Sequence, residues 1–415
     1  MTLIKNPYTI GRPIYAPEYL FRREIIVSFI QEQLTFKAKV IVLHGQRRIG
    51  MTSFVNYISR SVSVDGFIFV PLSLEDKHHY SLDEILYDFA RDIVDWLGIS
   101  GSTITIPSQE DLKVQPRLFV RIFLKQIYDR FEEKNIVLLL DEFDVLWDDT
   151  CSQINPFINF LISLINREEK LFIVLFLGRQ GNSLEFISDL FGGEVPHQEL
   201  GLLNKSDTEN SITEIAKGIL EYEPEAIEEI WELAGGHPYY TQLLCFNLFQ
   251  QARNLNRWNV TRQDIKGIID ESLEIGEAAF VSTVEVLSAR EKLVLYAVAE
   301  AQKKATKSSK SNIVNPLGIL EKHHGKLTQK MKEELTQAAE HLVNLGFLQK
   351  IGEQKLGKNL TPIYKVKIEL LRLWLLKRVS LETEIETINE LFPQKSFLDQ
   401  ILNSGLGKWM RSHNN

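Results

Sequence analysis

Three strand-length apolar runs set the fold class of this chain. They are Val40-Ile41-Val42-Leu43, Ile136-Val137-Leu138-Leu139-Leu140 and residues 171–177. None alternates with polar residues, so each predicts a strand buried on both faces. Between them the spacing turns helical, at residues 52–61, 81–96, 116–134 and 154–167. Apolar strands alternating with helices predict an α/β protein whose parallel sheet is covered on both sides. Two more strands are predicted, one at residues 67–70 stopped by Pro71 and one near residues 198–202. An amphipathic stretch at residues 22–34 precedes the first strand. Ser81 and Glu84 form a capping box, and Pro116 suits a first helical turn.

The second half reads differently. Residues 206–273 carry helical patterning only. Helices at residues 288–301 and within 327–345, ended by Gly346, lead to two strands at 347–351 and 363–367. A Gly/Lys-rich turn, residues 352–359, joins those strands, and helices followed by a β-ribbon are the layout of a winged helix. At roughly 150 residues per domain, 415 residues suggest two or three domains. The expected division is an N-terminal segment (1–34), an α/β core (35–203), a helical lid (204–280), a winged helix (281–378) and a tail (379–415).

Residues 45–52 read Gly45-Gln46-Arg47-Arg48-Ile49-Gly50-Met51-Thr52, between the first strand and a helix. Both glycines and the threonine match the phosphate-binding P-loop, G-x-x-x-x-G-K-[ST]. Glycines let backbone N–H groups curl around a phosphate, and the helix N-terminus adds favourable partial charge. The candidate nucleotide-binding residues are therefore Gly45, Gln46, Arg47, Arg48, Ile49, Gly50, Met51, Thr52 and Ser53, with the Thr52 hydroxyl on Mg²⁺. Met51 stands where the lysine should reach the β- and γ-phosphates. Losing such a charge-assisted contact costs about 1.5–3 kcal/mol, and phosphoryl transfer suffers more than binding. Met51 is read either as a natural residue of a degenerate site or as a substituted lysine. The third strand ends in Asp141-Glu142, a Walker B pattern. There Asp141 would hold the metal through water and Glu142 would polarise an attacking water.

With both elements in order, the chain resembles the AAA-related P-loop ATPases of the STAND class. These include prokaryotic, archaeal-type ATPases with Gly-Gln-Arg-Arg-Ile-Gly-Lys-Thr loops. The resemblance runs from about residue 6 to residue 378. A Gly-Arg-Glu motif helps that family bind the base; here Phe21-Arg22-Arg23-Glu24 keeps the Arg-Glu, which implies Arg23. A sensor at the end of the strand after Walker B implies Arg179, in Leu177-Gly178-Arg179. A Gly-x-Pro motif near the nucleotide implies Pro238, in Gly235-Gly236-His237-Pro238. The resemblance implies a molecular switch that uses ATP or ADP with Mg²⁺. It also implies self-association and a separate effector or sensor protein as partners.

Composition narrows the rest. The apolar fraction of 44% and charged fraction of 25% exclude a disordered or collagen-like chain. Two cysteines, Cys151 and Cys245, make no disulfide framework, so a reducing, cytoplasmic setting is expected. No run reaches the roughly 18–20 apolar residues of a membrane helix, and no membrane partner is expected. The net charge of −8 hides an asymmetry: residues 301–380 hold 16 Lys/Arg against 6 Asp/Glu. That basic stretch raises non-specific DNA contact as an alternative function, beside an ATP switch and a nucleotide-binding scaffold. The His78-His79 and His323-His324 pairs are adjacent residues with no accompanying Cys or carboxylate cluster, and they are not read as metal sites. Arg47 and Arg48 either lend charge near the phosphates, face a neighbouring subunit or point to solvent, and solvent is the default.

Overall fold

The computed structural model describes residues 4–13, 23–99, 103–132, 134–146, 156–178, 183–307, 316–324, 327–356 and 359–378. The chain divides into two compact units, Met1–Ser272 and Leu273–Asn415.

In the first unit, α1 (Glu24–Thr35) leads into β1 (Val40–His44), a loop and α2 (Met51–Ser61). Next come β2 (Phe67–Ser73), α3 (Leu82–Trp96) and α4 (Gln109–Val114). A π-helical turn, Phe119–Leu124, continues as α5 (Lys125–Arg130). Then follow β3 (Asn135–Asp141), α6 (Pro156–Ile165), β4 (Leu171–Leu177), α7 (Ser183–Phe191) and β5 (His197–Glu199). The five strands form one parallel sheet in the order β2-β3-β4-β1-β5.

The sheet is buried on both faces, and strand alternation sorts the side chains. Ile41, Leu43, Val137, Leu139 and Val174 pack with Ile26, Ile30 and Leu34 of α1 and Phe54, Val55 and Ile58 of α2. Val40, Val42, Leu138, Leu140, Ile173 and Leu175 pack with Ile85, Phe89 and Ile93 of α3 and Phe157 and Leu161 of α6. Each such fully buried side chain contributes about 1.5–3 kcal/mol. All seven residues of β4 are buried, as its unbroken apolar run predicts.

Several elements differ in extent from the sequence reading. β2 runs through Pro71 to Ser73, because β2 is an edge strand and tolerates a residue without an N–H. The helix expected from Pro116 is split between the π-helical turn and α5, and α4 is too short to leave a periodic signal. The predicted capping box closes α3: the Ser81 N–H donates to Glu84 Oε2 at 2.7 Å.

The unit continues with α8 (Lys205–Thr213), β6 (Glu221–Tyr222), α9 (Pro224–Ala234), α10 (Pro238–Leu255), β7 (Asn259–Val260) and α11 (Arg262–Ile275). This stretch was expected to be purely helical. Its two short strands pair in parallel, with Glu221 opposite Asn259. Two-residue strands are below the reach of periodicity. The middle of α10 is buried at Leu243, Leu244, Leu248 and Phe249. The N-terminal segment is pinned to these helices. Tyr8 is 1% exposed, and its hydroxyl donates to the Ile212 carbonyl and accepts from the Tyr222 hydroxyl at 2.8 Å. Asn6 donates to the Phe246 carbonyl at 3.1 Å.

The second unit contains α12 (Glu277–Glu285), α13 (Ala289–Lys307), α14 (Pro316–His324), α15 (Gln329–Asn344), β8 (Leu348–Leu356), β9 (Asn359–Val366) and α16 (Glu369–Arg378). Gly346, with φ +74°, follows α15 as its expected stop. β8 and β9 are antiparallel from Leu348 opposite Val366 to Leu356 opposite Asn359. The ribbon is therefore longer than predicted, and most of the Gly/Lys-rich segment read as a turn belongs to its strands. Polar, flexible composition does not prevent pairing once the apolar ends fix the register. Trp374 stacks on Phe280, with centroids 5.5 Å apart, and donates to Glu277 at 2.9 Å.

Cys245 is a buried free thiol, and Cys151 lies outside the described residues. Among the described residues, no helix is long and apolar enough to cross a membrane. Tyr8→Phe leaves the Ile212 carbonyl and the Tyr222 hydroxyl short of a partner. We expect it to lower unfolding free energy in urea by about 1–3 kcal/mol with an unchanged slope. A midpoint equal to that of the unsubstituted chain would show that the N-terminal segment is not anchored through this hydroxyl.

Candidate functional site

The carboxyl ends of β1, β3 and β4 meet, which is where open α/β sheets hold ligands. The loop after β1 is anchored by the Gly45 N–H, which donates to the Leu177 carbonyl of β4 at 3.1 Å. A Cβ on Gly45 would lie 2.6 Å from the Leu200 carbonyl, so only glycine fits. Gly50 closes the loop at φ +99°, with open space where its side chain would be. Gly50 supplies no side-chain cap to α2. The first-turn N–H groups of α2 thus lack an acceptor in their own helix, in a region of positive partial charge.

Arg23, 5% exposed, precedes α1 and reaches this loop. Its guanidinium donates to the Ile49 carbonyl at 3.1 Å and to the Gly201 carbonyl at 3.4 Å. The structure thus places the side chain implied for base contact on the backbone of the loop itself. Gln46 and Ser53 are buried, at 6% and 7% exposure. Met51 is half-buried and joins the apolar cluster of α1 and α2. Its Cε lies 3.1 Å from the point a Cβ on Gly45 would occupy, so the thioether is folded back against the loop.

Thr52 and Asp141, the two expected metal ligands, come near one another at the start of α2 and the end of β3, close enough for the Thr52 side chain to act on the Asp141 carboxyl. Asp141 is 6% exposed. Burial raises its pKa above the usual carboxylate range, opposed by the Thr52 hydroxyl and by the Glu142 N–H, which donates to Oδ1 at 3.1 Å. Glu142 itself has φ +56°, a left-handed conformation rare for a residue with a side chain. Burial, then the charges of Asp141, Glu75 and Asp144, push its pKa up to about 7, while Arg47 opposes the shift.

Two of these acids were not singled out from the sequence. Asp144 is 4% exposed, and its Oδ1 accepts from the Gly178 N–H at 3.2 Å, tying the turn after β3 to the end of β4. Its place two residues beyond Glu142 was the available signal. Glu75 comes alongside because Ser73 of β2 pairs with Asp141 of β3, a register no local pattern announces. Arg179 lies outside the described residues.

The turn between α9 and α10 touches the loop. Gly236 has φ +81°, and a Cβ there would lie 2.3 Å from the Leu203 carbonyl. Pro238 begins α10. Its neighbours make the contacts. His237 is fully buried, with Nε2 3.3 Å from the Arg47 carbonyl oxygen. Burial, with a smaller contribution from the Arg48 charge, pulls its pKa down to about 3. The ring is therefore neutral, with Nε2 as donor, and its Nδ1 has no hydrogen-bond partner among the described residues. The Arg48 guanidinium sits 5.0 Å from the Tyr239 ring centroid, a cation–π contact. Successive loop residues thus engage the α9–α10 turn, one by its backbone and one by its side chain.

Among the described residues, no group of three or more His, Cys, Asp or Glu side chains is arranged to hold a metal ion. His78 and His79 lie against each other at an exposed turn, with centroids 3.7 Å apart.

No protein-family model matches the chain, and no curated protein matches it. Solved structures do resemble it. One is a Walker-type ATPase of Pyrococcus abyssi, with TM-score 0.57 and 16% identity, covering 88% of this chain and 99% of that one. Another is the ORC2 protein of Aeropyrum pernix, solved in ADPNP–ADP complexes, with TM-score 0.53, 17% identity and coverage of 90% and 95%. At such identities the likeness establishes the fold alone, that of the P-loop NTPases.

The buried histidine generates a pH prediction. Unfolded, His237 takes up a proton near pH 6.5, whereas the folded chain resists protonation down to about pH 3. Its contribution to stability is complete above pH 6.5 and falls on acidification, by up to about 1.4 kcal/mol per pH unit. We expect the unfolding free energy of the unsubstituted chain to drop below that of His237→Gln progressively on acidification, relative to their difference at neutral pH. Parallel curves for the two proteins would show that His237 is not held neutral.

Proposed function

We propose that the chain binds ATP or ADP with Mg²⁺ and acts as a nucleotide-dependent switch whose hydrolysis Met51 weakens or abolishes. The observation that carries this reading is the convergence of Thr52, at the start of α2, and the buried Asp141, at the end of β3, where the Thr52 side chain lowers the pKa of the Asp141 carboxyl beside the glycine-bounded loop. A hydroxyl and a carboxylate are hard oxygen donors, suited to Mg²⁺ that keeps its remaining positions for water and phosphate. The open space at Gly50 and the uncapped first turn of α2 fit a phosphate chain.

In this reading the loop residues 45–53 cradle the phosphates, and Thr52 and Asp141 hold the metal. Bound Mg²⁺ supplies charge neutralisation to the phosphates. Glu142, with a pKa near 7, accepts a proton readily at neutral pH and orients water as a general base. Arg179 serves as the sensor at the end of β4. Arg23 acts on the nucleotide through the loop it braces. Pro238 belongs to the lid turn, whose His237 and Tyr239 link the lid to loop residues 47 and 48. A change in loop geometry is thereby passed to the helical lid. We read α12–α16 with the β8–β9 ribbon as a winged helix, and self-association and a separate effector as the routes of output.

We expect the chain to bind Mg²⁺–ATP and Thr52→Ala to weaken that binding about tenfold or more. Met51→Lys should gain turnover, and Glu142→Gln in that background should remove it. Absence of nucleotide binding by both the unsubstituted chain and Met51→Lys would sink the reading.

A second reading has the unit Leu273–Asn415 contacting DNA without sequence preference. It is favoured by the net +10 of residues 301–380 and by exposed Lys350 and Lys365 on the ribbon. Lys350 and Lys332 are paired with Glu353 and Glu321, so the excess charge rests on the other cations of the stretch. DNA affinity should fall steeply with added salt. A flat response would remove this reading.

A further inference from the structure

We infer that Arg47 is the phosphate-binding cation of this site, in place of the lysine that position 51 lacks. The inference rests on the nucleotide reading above and assigns a role within it.

Among the described residues, Arg23, Arg47 and Arg48 lie at the loop, and their surroundings separate them. Arg23 is buried against the carbonyls of Ile49 and Gly201. Arg48 is exposed and lies over the Tyr239 ring. Arg47 is half-buried and turned the other way, toward the ends of β3 and β4. Its Cγ lies 3.8 Å from the point a Cβ on Gly178 would occupy, and Asp144 Oδ2 lies 3.9 Å from that same point. Its charge acts on Glu142. The Arg47 side chain thus lies beside Asp144 and Glu142, two acids that follow Asp141 at the end of β3.

Within that space the side chain is incompletely satisfied. Arg47 Nε is shut off from solvent and has no hydrogen-bond partner among the described residues. A buried donor without an acceptor is costly and rare, and at a site of this kind it marks a place for a ligand oxygen. The guanidinium fork matches the paired oxygens of a phosphate. The residue is also held at its backbone, since the buried His237 takes the Arg47 carbonyl. Meanwhile the Met51 side chain packs back on Gly45 and brings no charge to the loop. The ligand chemistry implied is the phosphate chain of a nucleoside di- or triphosphate.

The test is calorimetric titration of the full chain with Mg²⁺–ATP. The proteins are the unsubstituted chain, Arg47→Gln, Arg47→Lys, Met51→Lys, the Arg47→Gln/Met51→Lys double variant and Arg60→Gln as a charge control elsewhere on α2. Arg47→Gln should raise Kd about tenfold or more, and Arg47→Lys should raise it less. Arg60→Gln should leave it unchanged. Met51→Lys should restore most of the affinity in the Arg47→Gln background but add little to the unsubstituted chain, a non-additivity that loss of fold does not mimic. If Arg47→Gln binds within about twofold of the unsubstituted chain, Arg47 is not the cation, although the nucleotide reading stands. Additive effects of the two substitutions would also overturn the inference. Failure of the unsubstituted chain alone to bind ATP would overturn the inference, and failure of Met51→Lys as well would overturn the nucleotide reading with it.

Discussion

The site depends on how closely the chain leaving β5 crosses the start of the loop after β1. Gly45 has the Leu200 carbonyl 2.6 Å from where its side chain would be, and its N–H is tied to Leu177. Any larger residue would push the loop away from the sheet end. With Gly45 fixed there, Gly50 can close the loop in the left-handed region and point α2 along the sheet. Thr52 then falls against Asp141 because β4 separates β1 from β3 by only one strand.

Like charges crowd this end of the sheet. Glu75, Asp141, Glu142 and Asp144 gather where three strands end, and burial with mutual repulsion raises the pKa of Asp141 and Glu142. Apolar or neutral residues there would stabilise the fold better. A chain that keeps such groups, with Glu142 in a left-handed conformation, stores strain and repulsion that a cation can relieve. Part of that relief is internal, through Arg47. The structural acids therefore favour ligation of positive charge, which is the property a metal–nucleotide site needs.

Much of the sheet was legible because β1, β3 and β4 are continuous apolar runs ended by glycine or acids. β4 coincides with its run, residue for residue. Legibility failed where the signal was not local. Pro71 was read as a stop, but edge position overrides that rule. The ribbon of β8 and β9 was read short because pairing partners, not composition, set its length. In the site, the loop and the Asp141-Glu142 pair were visible as spacing and strand end. Glu75, His237 and Tyr239 were not, since each reaches the loop through strand register or lid packing. Arg47 and Arg48 share a dipeptide and a default reading of solvent, yet fold into opposite surroundings. The left-handed backbone at Arg48, φ +62°, reverses the chain between them.

That reversal bears on what Met51 does to the site. A lysine at the start of α2 would draw its side chain over the loop toward phosphate, whereas methionine gains apolar contact by folding back on Gly45. Under the proposed reading the loop keeps its backbone cradle and the Thr52–Asp141 pair, and Arg47 supplies the positive charge that Met51 does not. An arginine fixed by the lid through its own carbonyl couples charge placement to lid position. A lysine on α2 carries no such link. If Arg47 grips phosphate as inferred, that grip and the contact with the α9–α10 turn are properties of one residue, so a movement of the turn would also move the charge.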